Sequence, residues 1–77
     1  MTQTYKENRE KTIYGKALLR VDEVARFLNI SKRLAYMLVA EGHFRVLKIN
    51  SAIRVSADSV LDYVDRQAQI YEIQRWS

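Results

Sequence analysis

Apolar residues early in the chain recur at the spacing of a helix. Four of them stand at positions i, i+3, i+4 and i+7, on one side of about two turns: Val21, Val24, Ala25 and Leu28. Asp22 and Glu23 fall in the first turn, where the helix dipole favours negative charge. The pattern therefore predicts a short amphipathic helix that ends before Asn29.

A second helix is predicted from Lys32 to Ala40 or Glu41. Ser31 can cap its start by accepting a backbone hydrogen bond, and Gly42 suits the left-handed position just past its end. We expect one side to pack against the first helix and the other to face outward. The packed side holds Ala35, Leu38 and Val39, and the outward side holds Lys32, Arg33, Tyr36 and Met37.

The following segment, FRVLKINSAIRVS, alternates in the manner of a β-hairpin. A three-residue loop, 50–52, would pair Lys48 with Arg54 and leave the opposite face wholly aliphatic. A two-residue loop would place Lys48 opposite Ile53 and mix the two faces. Because register follows the buried pattern, we favour the three-residue loop.

A last helix is predicted after Ser56, which can cap it, with Asp58 in its first turn. Its helical character can continue to about Arg75. The expected core stripe is Val60, Leu61, Val64, Ala68 and Tyr71. Residues 1–17 are polar and, apart from the short Thr12–Tyr14 run, lack periodicity, so we expect a mostly flexible arm. The predicted organisation is an arm over 1–17, a domain over 18–66 and a helical extension over 67–77.

Composition excludes several classes of protein. The 77 residues suffice for one small domain, and the absence of cysteine excludes disulfides and thiolate metal sites. The longest apolar run, Leu34–Ala40, is far shorter than the ~20 residues that span a bilayer, and the N-terminus has no signal-peptide character. We expect a soluble cytoplasmic protein without a membrane partner.

Basic residues are concentrated in one part of the chain. The net charge is +4, and between Ser31 and Val55 five bases stand against one acid, Glu41. Such a local positive face is typical of proteins that bind polyanions, although ordinary solvated charges are the alternative.

Signs of catalysis are absent from the sequence. The close acid pairs, Asp22 with Glu23 and Asp62 with Asp65, have no nearby histidine or glycine-rich loop to complete a site. We expect no catalytic residue, no metal, no cofactor and no small-molecule ligand.

The run LLRVDEVARFLNISKRLAYMLVAEGHFRVLKINSAIRVSADSVLDYV, Leu18–Val64, resembles the excisionase family of small DNA-binding domains, which is related in fold to the N-terminal domain of MerR-type regulators. The resemblance lies in VDEVARFLNIS, in SKR followed by Tyr36, in EGHF, and in IRVSADSVLDYV. It implies a mainly α winged helix-turn-helix of three helices and a two-stranded β-hairpin wing.

The resemblance also implies which residues meet DNA. The second helix would enter the major groove, with Ser31, Lys32, Arg33, Leu34, Tyr36 and Met37 as its contact residues. The wing would meet the phosphate backbone or the minor groove through Arg45, Lys48, Asn50, Ser51 and Arg54. Lys48 and Arg54, side by side in the favoured register, would straddle one phosphate.

Leu34 and Met37 replace polar residues that many family members carry. They can touch a thymine methyl but give little hydrogen-bond readout, so we expect reliance on DNA shape or on cooperation between neighbouring copies.

Three functions remain open from the sequence. The first is an architectural excisionase that binds tandem sites in double-stranded DNA and assists an integrase in excising a phage or mobile element. The second is a small transcriptional regulator. The third is a protein-binding module, in which the tail residues Ile70, Ile73 and Trp76 form a patch for an integrase or a sister copy.

Overall fold

Three short strands and three helices form the part of the chain that the structure describes, in the order strand, helix, helix, strand, strand, helix. The computed structural model describes residues 11–76, with the side chains of residues 11–74. The elements are β1 (Leu18–Leu19), α1 (Val21–Leu28), α2 (Lys32–Ala40), β2 (Val46–Ile49), β3 (Ala52–Ser56) and α3 (Ala57–Trp76). This order is that of a winged helix-turn-helix, and the predicted fold class is confirmed.

Helix α1 forms as its periodicity predicts. Val21, Val24 and Ala25 are buried. In place of a side-chain cap from Arg20, the Glu23 carboxylate accepts the Arg20 backbone N–H at 2.8 Å, which satisfies one of the unpaired donors at this helix start.

A tight turn connects α1 to α2. Asn29 adopts a left-handed conformation with φ +58°, and the Ile30 backbone N–H donates to the Ala25 carbonyl oxygen at 2.9 Å. Asparagine tolerates this conformation better than most residues, so it ends α1 without a glycine. The turn lets Ala35 of α2 be buried in the same core as Val24 of α1.

The sheet has three strands in the order β1-β3-β2, all antiparallel. The predicted wing had two strands, and β1 was missed because two residues are too short to show alternation. Leu19 of β1 pairs with Val55 of β3, and both side chains are fully buried. This pair ties the base of the hairpin to the helical core.

The hairpin register differs from the three-residue loop favoured on the sequence. Ile49 pairs with Ala52, so the loop has two residues, Asn50 and Ser51. Every residue of β2 is exposed, so no buried aliphatic face selects the register. Asn50, with φ +57°, supplies the left-handed conformation that a tight two-residue loop requires.

The segment immediately before the sheet packs onto the domain. Ile13 is only 4% exposed and belongs to the core, and its backbone forms an isolated bridge with Lys16 around the left-handed residues Tyr14 and Gly15. Residues 11–17 therefore differ from the flexible arm expected there. The rest of the predicted arm, residues 1–10, lies outside the described residues.

Helix α3 begins as expected and then leaves the domain. The Ser59 backbone N–H donates to Ser56 Oγ at 3.3 Å, and Val60 is fully buried. The predicted core stripe is wrong beyond Leu61, since Val64 and Ala68 are exposed and Tyr71 is 64% exposed. The spacing correctly identifies which residues share one side of α3. However, no other part of the described fold packs against the second half of this helix.

Candidate nucleic-acid interface

The start of α2 carries positive charge where helices usually carry negative charge. Ser31 Oγ accepts the Leu34 backbone N–H at 3.0 Å, which confirms the predicted cap. The first turn holds Lys32 and Arg33 and no acid, whereas α1 and α3 both begin with acidic residues. Bases at this end oppose the helix dipole, and both side chains are exposed. An external anion at this helix end would be attracted by the dipole and by both bases.

Ion pairing divides the basic residues into two groups. One group is paired: Lys11 with Asp58, Lys16 with Glu23, Arg20 with Asp22, and Arg66 with Asp62. Within residues 11–74 no carboxylate pairs with the predicted contact bases, which are Lys32, Arg33, Arg45, Lys48 and Arg54. Within residues 11–74, the bases without a carboxylate partner are therefore these five and Arg26 of α1.

The outward side of α2 is largely apolar. Leu34, Tyr36 and Met37 are all exposed, as predicted for the last two. Leucine and methionine can contact a thymine methyl group but cannot donate or accept a hydrogen bond to a base edge. This helix therefore presents positive charge at its N-terminus and an exposed, largely apolar surface along its first two turns.

The hairpin places its two central bases on opposite faces. Lys48 lies opposite Ile53, and Arg54 lies opposite Leu47, so each base shares its face with an aliphatic residue. The expectation that Lys48 and Arg54 straddle one phosphate is wrong, because it depended on the three-residue loop. The Arg54 guanidinium donates to the Ile53 carbonyl oxygen at 2.9 Å, which holds the arginine close to the strand.

The tip and the base of the hairpin hold the remaining predicted contact residues. Asn50 and Ser51 form the exposed loop. At the base, the Arg45 backbone N–H donates to Ser59 Oγ at 3.0 Å, and the Ser56 backbone N–H donates to the Arg45 carbonyl oxygen at 2.9 Å. Arg45 is thereby fixed where the hairpin meets α3, with its side chain exposed.

Sequence reasoning missed the groups that hold the hairpin against α3. The Tyr63 ring makes edge contacts with His43 and Phe44, at centroid distances of 5.4 and 5.2 Å. Ser59, which anchors Arg45, was missed as well. The sequence did contain a signal for Ser59, because it stands three residues after the Ser56 cap. A side chain at that position can reach back to groups that precede the helix.

A second exposed cluster lies on the N-terminal side of the domain. The Tyr14 and Phe27 rings meet edge to face at 6.2 Å, and the Arg26 guanidinium stands 5.9 Å from the Tyr14 ring centroid. Arg26 also lacks a carboxylate partner among residues 11–74, but its guanidinium lies within cation–π distance of an aromatic ring.

The predicted partner patch is exposed where it is described. Ile70 and Ile73 are accessible on α3, with Ile73 68% exposed. Ala68, Gln69, Glu72 and Ile73 border a shallow depression beside them. The third predicted member, Trp76, ends the helix, and its side chain lies outside the described side chains.

Among the groups that the structure describes, Glu23 has a pKa that the fold clearly shifts. The hydrogen bond from Lys16 Nζ, followed by the backbone N–H of Arg20, holds the pKa of its carboxyl below the ordinary range. The fold therefore favours the negatively charged form of Glu23 at the start of α1. This carboxylate takes part in hydrogen bonds within the fold and is not one of the predicted DNA-contact residues.

Among residues 11–76, none of the helices combines the length and the hydropathy that a membrane-spanning helix needs. Among the same residues, no three histidine or acidic side chains gather as a metal site would require.

Comparison with known proteins identifies a family for most of the described domain. Residues 18–68, about two thirds of the chain, match the family model described as "Helix-turn-helix domain". Neither the curated proteins nor the solved structures contain a significant match. The matched region includes α1, α2, the whole sheet and the first half of α3. The chain therefore belongs to the helix-turn-helix domain family, which includes excisionase-like DNA-binding domains, and its function is DNA binding.

Proposed function

We propose that this protein binds double-stranded DNA as an architectural excisionase and promotes integrase-mediated excision of a phage or mobile element. The observation that carries the proposal is the set of bases on α2 and the hairpin that have no carboxylate partner within residues 11–74, combined with the apolar outward side of α2. Such a surface attracts the phosphate backbone strongly and reads base edges weakly.

Weak base readout favours an architectural role over recognition of one isolated site. Leu34 and Met37 occupy positions from which a helix-turn-helix protein reads bases, yet neither forms hydrogen bonds to them. Selectivity would then come from sequence-dependent DNA shape and from neighbouring copies on tandem sites. An accessory factor in recombination needs this combination, because it organises DNA for another protein and performs no catalysis itself.

The exposed part of α3 supplies the partner surface in this proposal. Ile70 and Ile73 lie three residues apart, which places them on one side of the helix beyond the packed domain. We assign this patch to an integrase or to a sister copy bound next to it on the DNA.

A small transcriptional regulator is the second candidate, and α3 is the observation that favours it. The helix has 20 residues, and its second half is exposed along the side chains that the structure describes. In MerR-type regulators, a dimerising helix follows the winged domain. A regulator of this kind would occupy single promoter sites as a dimer, whereas the excisionase would occupy tandem sites.

Mapping the bound DNA separates the two candidates. Genomic DNA of the source organism is sheared, incubated with the protein at moderate salt, and the retained fragments are sequenced. The control is the Arg33→Ala/Lys48→Ala double variant, which keeps the fold because both side chains are exposed and unpaired within the described residues.

The excisionase proposal predicts tandem sites beside an integrase gene or at the ends of a mobile element, and their loss with the control variant. Isolated sites over promoters would contradict it and support the regulator. Retention that is equal for the wild type and the control variant would contradict both, because it would place the DNA contact elsewhere on the protein.

A further inference from the structure

A groove lies beside the first half of α3, next to the first residue that the structure describes. Its floor is apolar, because Leu61 packs against the core and Val64 is exposed beside it. Since Asp65 makes no ion pair within residues 11–74, the groove has an excess of negative charge. Its rim carries three aspartates and one lysine, namely Asp58, Asp62, Asp65 and Lys11.

Lys11 brings the preceding part of the chain to this groove. Its Nζ lies 3.8 Å from Asp58 Oδ1, and Ile13, two residues later, is buried in the core. The ten residues before Lys11, MTQTYKENRE, lie outside the described residues. Fully extended they reach about 33 Å, whereas the 20 residues of α3 measure about 30 Å. A segment that enters the groove at Asp58 is therefore long enough to follow the helix.

The segment and the helix have side-chain spacings that match. Alternate residues of an extended chain face one side, about 6.6 Å apart, and every fourth residue of a helix lies in one row, with a rise of about 6 Å. Three such steps cover about 20 Å in the segment and about 18 Å on the helix. The two series can therefore face each other residue by residue. Steps of two back from Lys11 reach Arg9, Glu7 and Tyr5, and steps of four forward from Asp58 reach Asp62, Arg66 and Ile70.

The charges of the two series are opposite at each charged step. After the observed ion pair at the start, the next step joins Arg9 to Asp62, and the step after it joins Glu7 to Arg66. A register shifted by one step toward Asp58 would place Glu7 against Asp62, which are two like charges. The charge pattern therefore selects one register.

The other side chains of the segment suit the same arrangement. Tyr5 falls against Ile70, which is 45% exposed, and a tyrosine ring can cover an aliphatic side chain while its hydroxyl stays in water. The alternate residues, which would face solvent, are all polar: Lys6, Asn8 and Glu10.

We propose that the segment before Lys11 docks in extended conformation along α3 and continues the Lys11–Asp58 pair, with Arg9 at Asp62, Glu7 at Arg66 and Tyr5 at Ile70. Exposed ion pairs contribute little individually. Here, however, the segment is covalently attached at one end of its site, so each further contact forms at high effective concentration. The inference does not depend on DNA binding and goes beyond the proposed function.

Docking of this segment would regulate access to the partner patch. Ile70 belongs to the patch that the proposed function assigns to an integrase or a sister copy. A partner that covers Ile70 must first displace Tyr5. The docked segment therefore acts as an autoinhibitory contact within the chain, a consequence that rests on the proposed function.

The test measures where the segment lies by nuclear magnetic resonance. Because the chain has no cysteine, Thr4→Cys provides a unique site for a nitroxide spin label beside Tyr5. The label broadens the amide signals of residues close to it in isotope-labelled protein. The test variant is Arg9→Glu, which alters no residue of the described fold. Its matched control is Lys6→Glu, with the same change of charge on the side that faces solvent, and Arg9→Glu/Asp62→Arg exchanges the two charges.

Thermal unfolding midpoints of all variants are measured first. The Asp62 side chain is 70% exposed, so its substitution leaves the core unchanged. If the exchange variant is nevertheless destabilised, Asp62→Asn replaces it and should lose the broadening by itself.

Docking predicts that amide signals of residues 66–72 lose most of their intensity in the spin-labelled protein and in its Lys6→Glu variant. They should recover in Arg9→Glu and be lost again in the exchange variant. Absence of broadening on α3, equal effects of Arg9→Glu and Lys6→Glu, or an exchange variant that stays like Arg9→Glu would overturn the proposal.

A mixed sample separates docking within one chain from docking between copies. Isotope-labelled protein without the spin label is mixed with spin-labelled protein that carries no isotope. In-chain docking predicts no broadening in this sample, whereas broadening of residues 66–72 would overturn it and assign the groove to the segment of a second copy. No DNA is present in these measurements, so their failure leaves the proposed function intact.

Discussion

Lys48 lies directly opposite Ile53 across the β-hairpin, and this one pairing fixes the orientation of both wing bases. Because facing residues share a side of the sheet, Arg54 must project from the other side. A hairpin shifted by a single residue would place both bases together. The number of loop residues therefore determines how the wing meets its partner.

The separation of the wing bases predicts additive effects on DNA binding. Lys48→Ala and Arg54→Ala should each weaken duplex affinity by roughly threefold to tenfold, and the double variant should show the product of the two effects. If the two bases shared one phosphate, the loss of duplex affinity in the double variant would be much smaller than that product. Fluorescence anisotropy on one duplex at fixed salt measures all four proteins.

The unpaired state of Arg33 predicts a specific loss on substitution. Arg33→Ala should weaken duplex affinity by at least about fivefold, because the side chain stands at the α2 N-terminus without a carboxylate partner among residues 11–74. The matched control is Arg66→Ala, since Arg66 is also exposed but its Nε lies 3.9 Å from Asp62 Oδ2 on α3. Its affinity should stay within about twofold of wild type. Equal losses of duplex affinity in both variants would show that affinity depends only on the total charge of the protein.

Ser31 has two predicted roles that different substitutions separate. Ser31→Ala removes the hydrogen bond to the Leu34 backbone N–H and should lower the free energy of unfolding by about 1 kcal/mol, measured by urea titration. Ser31→Asp keeps a capping oxygen and should retain that stability. It also places negative charge where a phosphate is expected, so its DNA affinity should fall. An aspartate variant that binds DNA as tightly as wild type would exclude a phosphate at this helix end.

Glu23 predicts a dependence of stability on pH. Its pKa in the folded protein lies below the ordinary carboxyl range, first because of the Lys16 hydrogen bond and then because of the Arg20 backbone N–H. A depressed folded pKa gives stability that is present above the unfolded pKa, about 4, and is lost as pH falls through the lower folded value.

The corresponding experiment compares thermal unfolding midpoints from pH 7 down to pH 2.5. Glu23→Gln should be less stable than wild type at pH 7, and the difference should shrink at the acid end. Asp65→Asn is the control, since Asp65 makes no ion pair within the described residues. A constant difference between Glu23→Gln and wild type across the whole range would contradict the assigned pairing.

The helical half of the fold was predictable because each helix carries its own signals. The spacing of Val21, Val24 and Ala25 gave the buried side of α1, and Ser31 and Gly42 gave the ends of α2. These signals act within a few residues and need no knowledge of distant parts of the chain. The outward position of Lys32 and Arg33 follows from the same periodicity.

The rest depended on contacts that local patterns do not encode. The hairpin register was wrong because the rule used for it assumes a buried face, and β2 has none. The stripe along α3 was wrong beyond Leu61 because periodicity identifies a side of a helix but not whether anything covers it. Ile13 belongs to the core through tertiary contacts, which its polar neighbours in the sequence do not indicate.

The salt dependence of duplex affinity tests most directly whether α2 and the hairpin form a DNA-binding face. Four or five unpaired bases that neutralise phosphates should give a slope of log affinity against log salt of roughly −4. The measurement uses anisotropy on one duplex at several KCl concentrations. A slope near −4 that becomes about one unit shallower in Arg33→Ala is the predicted result. An affinity that does not change with salt would contradict the account.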